Sequence, residues 1–149
     1  TIVDSAGQEI ILIGFRKEAG AGIRILNKAG KRVLGLGIAA DEGGSGILVA
    51  DKEGRPRVGL GMDEGVPSIV MINERGKKTI GMGGDDRGYG LVIMDDKEVE
   101  RVGLGFKEGN TGVLIYDDNG QYVRGMIRQK NGVHYTSHMD ENGKEVILR

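Results

Sequence analysis

The chain has no cysteine and no tryptophan, and only two phenylalanines (Phe15, Phe106), four tyrosines and two prolines among its 149 residues. Without cysteine there is no disulfide framework, no thiolate nucleophile and no zinc-thiolate site. So few aromatic side chains leave a thin core of Ile, Val, Leu and Met, which suits stacked or fibrous architectures better than spheres. Neither sign of charge is in excess: 21 Lys and Arg against 22 Asp and Glu leave a net charge of −1. No basic field exists to hold a phosphate backbone, so nucleic acid is not an expected partner. No apolar run approaches the ~18 residues of a membrane-spanning helix, and no span is expected in this chain. The chain opens at Thr1 with neither an initiator Met nor a signal-like segment, which reads as a fragment or a mature, processed product.

What the chain has is glycine, 28 residues of it, and a repeat. An Asx residue recurs at Asp4, Asn27, Asp51, Asn73, Asp95, Asp117 and Asp140, and eight residues after each stands Leu12, Gly35, Gly59, Gly81, Gly103, Gly125 or Leu148. That makes about seven copies, 22 to 24 residues apart. Before each Asx runs a β-branched, apolar stretch such as Gly22-Ile-Arg-Ile-Leu26 or Gly90-Leu-Val-Ile-Met94. After it comes a strand of the kind Arg57-Val-Gly-Leu-Gly-Met62 or Arg101-Val-Gly-Leu-Gly-Phe106. Two strands around one Asx-x-x-Gly turn are a β-hairpin, the Asx capping the backbone and Gly54 or its equivalent taking the left-handed conformation. In Asp95-Asp-Lys-Glu-Val99 the expected glycine slot is assigned to Val99, so that copy is expected to turn differently.

The leading strands are apolar on both faces, while the following strands put Leu34, Leu36 and Ile38 on one face and leave Gly35 and Gly37 on the other. Two registers are open. With a three-residue bulged turn, residue 25 pairs with 33 and 23 with 35, and each sheet face alternates bulky and bare strands. A four-residue turn shifts the register by one and gathers the bulky residues on one face. In the first case the glycines Gly59, Gly61, Gly103 and Gly105 are spacing devices that admit the ridges of another sheet.

The fold class is therefore all-β, a repetitive antiparallel hairpin meander of about 13 strands each ~4.8 Å from the next. Residues 1–127 form the repeat array and 128–149 a divergent terminal or capping repeat of the same domain. Such a ribbon cannot bury its own apolar face, so a homo-oligomer is expected. Three sheets around an axis, a trimeric β-prism, are the most economical solution, with a monomeric β-solenoid as the alternative. The pattern apolar-x-apolar-x-Asp-x-x-Gly-x-x-Arg-Val-Gly-Leu-Gly resembles the hairpin repeats of bacterial surface and phage-like fibre proteins, over nearly the whole chain. The resemblance implies an extended, oligomeric, non-catalytic structural or adhesive protein, located outside the cell or at a cell or virion surface.

No constellation for catalysis is present and no cofactor is expected. Gly103-Leu-Gly-Phe106 spells the carboxylate-binding loop of PDZ domains, but its recurrence in other copies makes it a repeat strand. Asp117-Asp-Asn-Gly120 and Asp140-Glu-Asn-Gly143 lack the alternating ligands of a calcium loop and read as turns. The pairs Asp41-Glu42, Asp63-Glu64 and Asp85-Asp86 line the edge opposite the hairpin turns, a solvated edge or a ladder for divalent cations. The divergent last copy, Val133-His-Tyr-Thr-Ser-His-Met139, is the place to look for a site. His134, Tyr135, Ser137 and His138 are its candidate binding residues, for a surface glycan or receptor. His134 and His138 share a strand face but lie ~13 Å apart, too far for one metal within a chain. His138 stands where earlier copies place a core aliphatic, so three copies on a three-fold axis would bring three imidazoles together around a metal, an anion or water.

Overall fold

The computed structural model describes residues 1–17, 20–38, 44–63, 65–86 and 88–148. Every regular element is a strand: β1 (Ile2–Val3), β2 (Glu9–Arg16), β3 (Gly20–Leu26), β4 (Arg32–Ile38), β5 (Ser45–Ala50), β6 (Pro56–Asp63), β7 (Val66–Ile72), β8 (Lys78–Asp85), β9 (Gly88–Met94), β10 (Glu100–Lys107), β11 (Asn110–Tyr116), β12 (Tyr122–Arg128), β13 (His134–Met139) and β14 (Glu145–Leu148). They follow one another in chain order as an antiparallel meander of hairpins. The chain divides into two units, Thr1–Gly76 with β1 to β7 and Lys77–Arg149 with β8 to β14.

Local chemistry makes the turns. Asp4 Oδ1 accepts hydrogen bonds from the N–H groups of Ala6 and Gln8 at 2.8 and 2.9 Å. The same pair of bonds recurs at Asn27, Asp51, Asp95, Asp117 and Asp140. The first and fifth residues of each of these turns are joined through the backbone, as Asp51 N–H donates to the Arg55 carbonyl at 2.9 Å. Three residues lie between, and the last of them is left-handed: Gly7, Gly30, Gly54, Gly76, Gly120 and Gly143 have φ between 71° and 83°.

The fifth turn corrects the expectation for Val99. Glu98, not Val99, occupies the glycine slot, with φ 65°, and the Asp95 turn keeps the same bonds as the others. A non-glycine residue there is strained. Neighbouring chain ties it down: Glu98 Oε2 lies 2.9 Å from Lys77 Nζ and Oε1 accepts the Lys78 N–H at 3.1 Å.

The register is the one that gathers bulky residues on a single face, although the turn is the three-residue kind. The reason is a β-bulge one pair beyond the turn. Leu26 pairs with Arg32 but Ile25 pairs with Leu34, so Val33 is an extra residue. Arg57, Arg101 and Val123 are extra in the same way in later hairpins. Two of these residues turn back to the Asx: Arg57 Nε is 2.9 Å and Arg101 Nε 3.1 Å from Asp51 Oδ2 and Asp95 Oδ2. The bulge thus has its own ion pair, and one inserted residue moves every following side chain to the opposite face. The last hairpin, β13 to β14, has no bulge.

One face, here the front, carries cross-strand rows of aliphatic side chains. In the first unit a row runs Ile13, Ile23, Leu36, Ile47, Leu60, Ile69. In the second, Met82, Leu91, Leu104, Val113 and Met126 continue to Thr136 and Leu148. The reverse face carries a glycine row, Gly22, Gly37, Gly46 and Gly61 in the first unit and Gly83, Gly90, Gly105 and Gly112 in the second. These glycines serve the sheet itself rather than another sheet's ridges. A Cβ on Gly61 would stand 2.5 Å from the Ser45 carbonyl oxygen, and one on Gly105 would strike the Tyr89 carbonyl. A second set does admit ridges, but from the same sheet: Val70 leans over Gly59, Val92 over Gly81 and Leu114 over Gly125.

No hydrophobic side chain among the described residues is buried. Among the described residues the buried ones are Gly20, Gly35, Gly103, Gly125 and Ser137. The strands have formed by backbone pairing and turn chemistry, and the apolar face they create has no cover within the chain.

Candidate functional site

The four residues singled out on β13 do not share one face of the sheet. Strand alternation divides them. His134 and His138 lie on the front face opposite Arg128 and Arg124, whereas Tyr135 and Ser137 lie on the reverse face opposite Ile127 and Gly125. Ser137 is fully enclosed, its hydroxyl bound to the Tyr122 hydroxyl, so its role is to fill the floor beside Gly125. His138 is half-buried, and its Nδ1 is enclosed with no hydrogen-bond partner. Within the chain no group of three or more His, Cys, Asp or Glu side chains is placed to hold a metal, among the described residues. The guanidinium of Arg124 across from His138 makes this position more suited to an anion than to a cation.

The turn residues Asp51 and Gly54 and the strand glycines Gly59, Gly61, Gly103 and Gly105 are structural. Asp51 is the most strongly held carboxylate. Burial alone would raise its pKa, but the Arg55 N–H and the Arg57 and Arg55 guanidinium groups together pull it well below the usual range. Asp95 is lowered by the Val99 N–H, with burial opposing and the Lys97 N–H and Arg101 adding to the effect. Asp117 is lowered by the N–H groups of Gln121 and Asn119. Successive turns also grip one another: Asn27 Nδ2 donates to the Lys52 carbonyl at 2.6 Å, and Gln8 Nε2 to the Lys28 carbonyl at 2.7 Å. The acidic pairs Asp41-Glu42, Asp63-Glu64 and Asp85-Asp86 lie, wholly or in part, outside the described residues.

The largest feature is the front face. Leu36, Ile47, Leu60 and Met62 in the first unit are 42 to 48% exposed, and Leu104 and Phe106 in the second 45 and 47%. Its composition changes at β12 and β13, where Arg124, Arg128, His134, Thr136 and His138 replace aliphatic side chains around Met126. Sequence reasoning missed Arg124 and Arg128. Their pairing with His138 and His134 is set by the turn over residues 129–133, which starts at Gln129 and so lacks the Asx that marks the other turns.

The reverse face is grooved along its glycine rows. In the second unit a groove of about 740 Å³ has Gly83, Gly90, Gly105 and Gly112 as its floor, with Tyr116 and Tyr135 at its sides. Burial raises the Tyr116 pKa, and the charge of Glu100, to which its hydroxyl donates, raises it further. In the first unit the equivalent groove is about 440 Å³.

No helix among the described residues is long and apolar enough to cross a membrane. No protein-family model and no curated protein matches the chain.

Proposed function

We propose that the chain is a structural, self-assembling repeat protein that acts without catalysis, its copies joined through the aliphatic rows on the front face of β2 to β7 and of β8 to β10. One observation carries this reading: the rows on that face are half exposed and, among the described residues, no hydrophobic side chain is buried in their place. Exposed aliphatic rows of this kind mark an association site, and each Leu or Ile covered contributes roughly 1.5–3 kcal/mol.

The assembly that suits these rows best is a trimeric β-prism. Three sheets, each with one aliphatic face, close a narrow core that needs no aromatic side chains. Such a prism is a shaft, and its place is the cell or virion surface, as in fibre and adhesin-like proteins. Sedimentation equilibrium on the full chain tests the reading. The expected mass is three times 15.9 kDa, and Leu104→Glu or Leu60→Glu lowers it to that of the single chain with strand content kept. A wild-type chain that sediments as a monomer at micromolar concentration overturns it.

A further inference from the structure

The front face ends in an unneutralised basic patch. Arg124 stands opposite His138 and Arg128 opposite His134, with Met126 and Thr136 between the two pairs. Arg124, Arg128 and His134 are exposed, and none of the four groups has an ion pair or side-chain hydrogen bond among the described residues. The strands on either side bring no counter-charge to this face. β11 presents Thr111, Val113 and Ile115, and β14 presents Val146 and Leu148. Elsewhere in the chain Arg57 and Arg101 are each bound to a carboxylate. The unfilled Nδ1 of His138 adds a polar atom that the chain itself does not satisfy.

The patch also has a shape. A groove of about 660 Å³ runs beside it, lined by Thr111, Val113, Met126, Arg128, His134 and Thr136 among others. This volume is within the ~300–1,000 Å³ of small-ligand sites. Its lining offers the Arg128 guanidinium, the His134 imidazole, the Thr111 and Thr136 hydroxyls and the apolar Val113 and Met126. Four residues up the strand, about 13 Å away, Arg124 and His138 repeat the same pair of donors.

We propose that this face binds an acidic polysaccharide, a chain bearing sulfate or carboxylate groups on a hydroxyl-rich backbone. Arg128 with His134, and Arg124 with His138, take two anionic groups along the chain. The Thr111 and Thr136 hydroxyls meet sugar hydroxyls, and the C–H face of a ring rests on Met126 and Val113. Charge pairing with a planar guanidinium and the alternation of polar and apolar wall groups select this class. Tyr135 is the one aromatic side chain among the described residues that line the groove, too few to stack successive nucleobases, which favours a polysaccharide over a single-stranded nucleic acid.

The test uses the full chain with dextran sulfate as the probe and unmodified dextran as the control, binding being measured by titration calorimetry across a salt series. Dextran sulfate is expected to bind and dextran not to. Arg124→Ala combined with Arg128→Ala weakens binding at least ten-fold at low salt and flattens its salt dependence. The double variant His134→Asn, His138→Asn also weakens binding. Equal binding of plain dextran, unchanged affinity in the arginine variant with native circular dichroism, or tighter binding of single-stranded DNA than of dextran sulfate each overturns the proposal. Sedimentation of the same variants reports assembly separately, so loss of the site and loss of self-association are distinguishable.

Discussion

At the residue scale, the glycines divide by what stands where a Cβ would be. Gly105→Ala drives a methyl group into the Tyr89 backbone carbonyl, so it is expected to destabilise by roughly 1–3 kcal/mol in urea unfolding, as overpacking does. Gly14→Ala meets nothing within 4 Å and has no left-handed backbone to strain, and it is expected to be neutral or to stabilise by about 0.5 kcal/mol. Equal losses at the two positions would show that the carbonyl contact is not what requires glycine. The turn carboxylates supply a pH dependence. Asp51, Asp95 and Asp117 all titrate below their ordinary range when folded. A depressed folded pKa gives stability that is present above the unfolded value of about 3.9 and drains away as pH falls below it. The urea midpoint is therefore expected to drop between about pH 5 and pH 2, and to drop less in Asp51→Asn.

At the element scale, the hairpin is a turn plus a bulge, and the two are chemically linked. The Asx carboxylate caps the turn through one oxygen and, at Asp51 and Asp95, holds the bulged arginine through the other. Replacing Arg101 by Val is expected to loosen the β9 to β10 hairpin, seen as faster amide exchange at Val99 and Val102 with the β5 to β6 hairpin unchanged. Protection lost evenly across the sheet would argue against a local role. The connection from β10 to β11 is a two-residue turn with Glu108 at φ 52° and Gly109 at φ 88°, the mirror-image type that matches strand twist. Asn accepts the first of these conformations more readily than Glu, so Glu108→Asn is expected to stabilise by on the order of 0.5 kcal/mol. A fall in thermal midpoint would contradict that.

At the scale of the whole molecule, a sheet with no buried aliphatic side chain has its stability tied to what covers it. Association then enters the folding equilibrium, and the unfolding midpoint depends on protein concentration. Chemical denaturation at 1 µM and 100 µM is expected to show the midpoint rising with concentration, and the rise to vanish in Leu104→Glu. A concentration-independent midpoint would mean that a single chain is stable with its apolar rows in water. The basic end at β12 and β13 sets a boundary to the covered region, because packing the guanidinium groups of Arg124 and Arg128 against aliphatic side chains costs several kcal/mol per charge.

The residue pattern by itself determined the strands, the Asx turns and the antiparallel order, because these depend on neighbours within about five residues: an Asx with its own backbone, a left-handed glycine, a period of two. The same spacing marks Glu98 as the left-handed slot of the fifth turn, three residues after Asp95 as Gly54 is after Asp51, and the expectation at Val99 was one residue too far along. What the tertiary structure decided was the register. One bulged residue at Val33, Arg57, Arg101 or Val123 reverses the faces of the strand that follows, and its cause is a cross-strand pairing. From those bulges follow the apolar rows of each unit and the glycine rows under neighbouring carbonyls, while the turn over residues 129–133 brings Arg124 opposite His138 and Arg128 opposite His134.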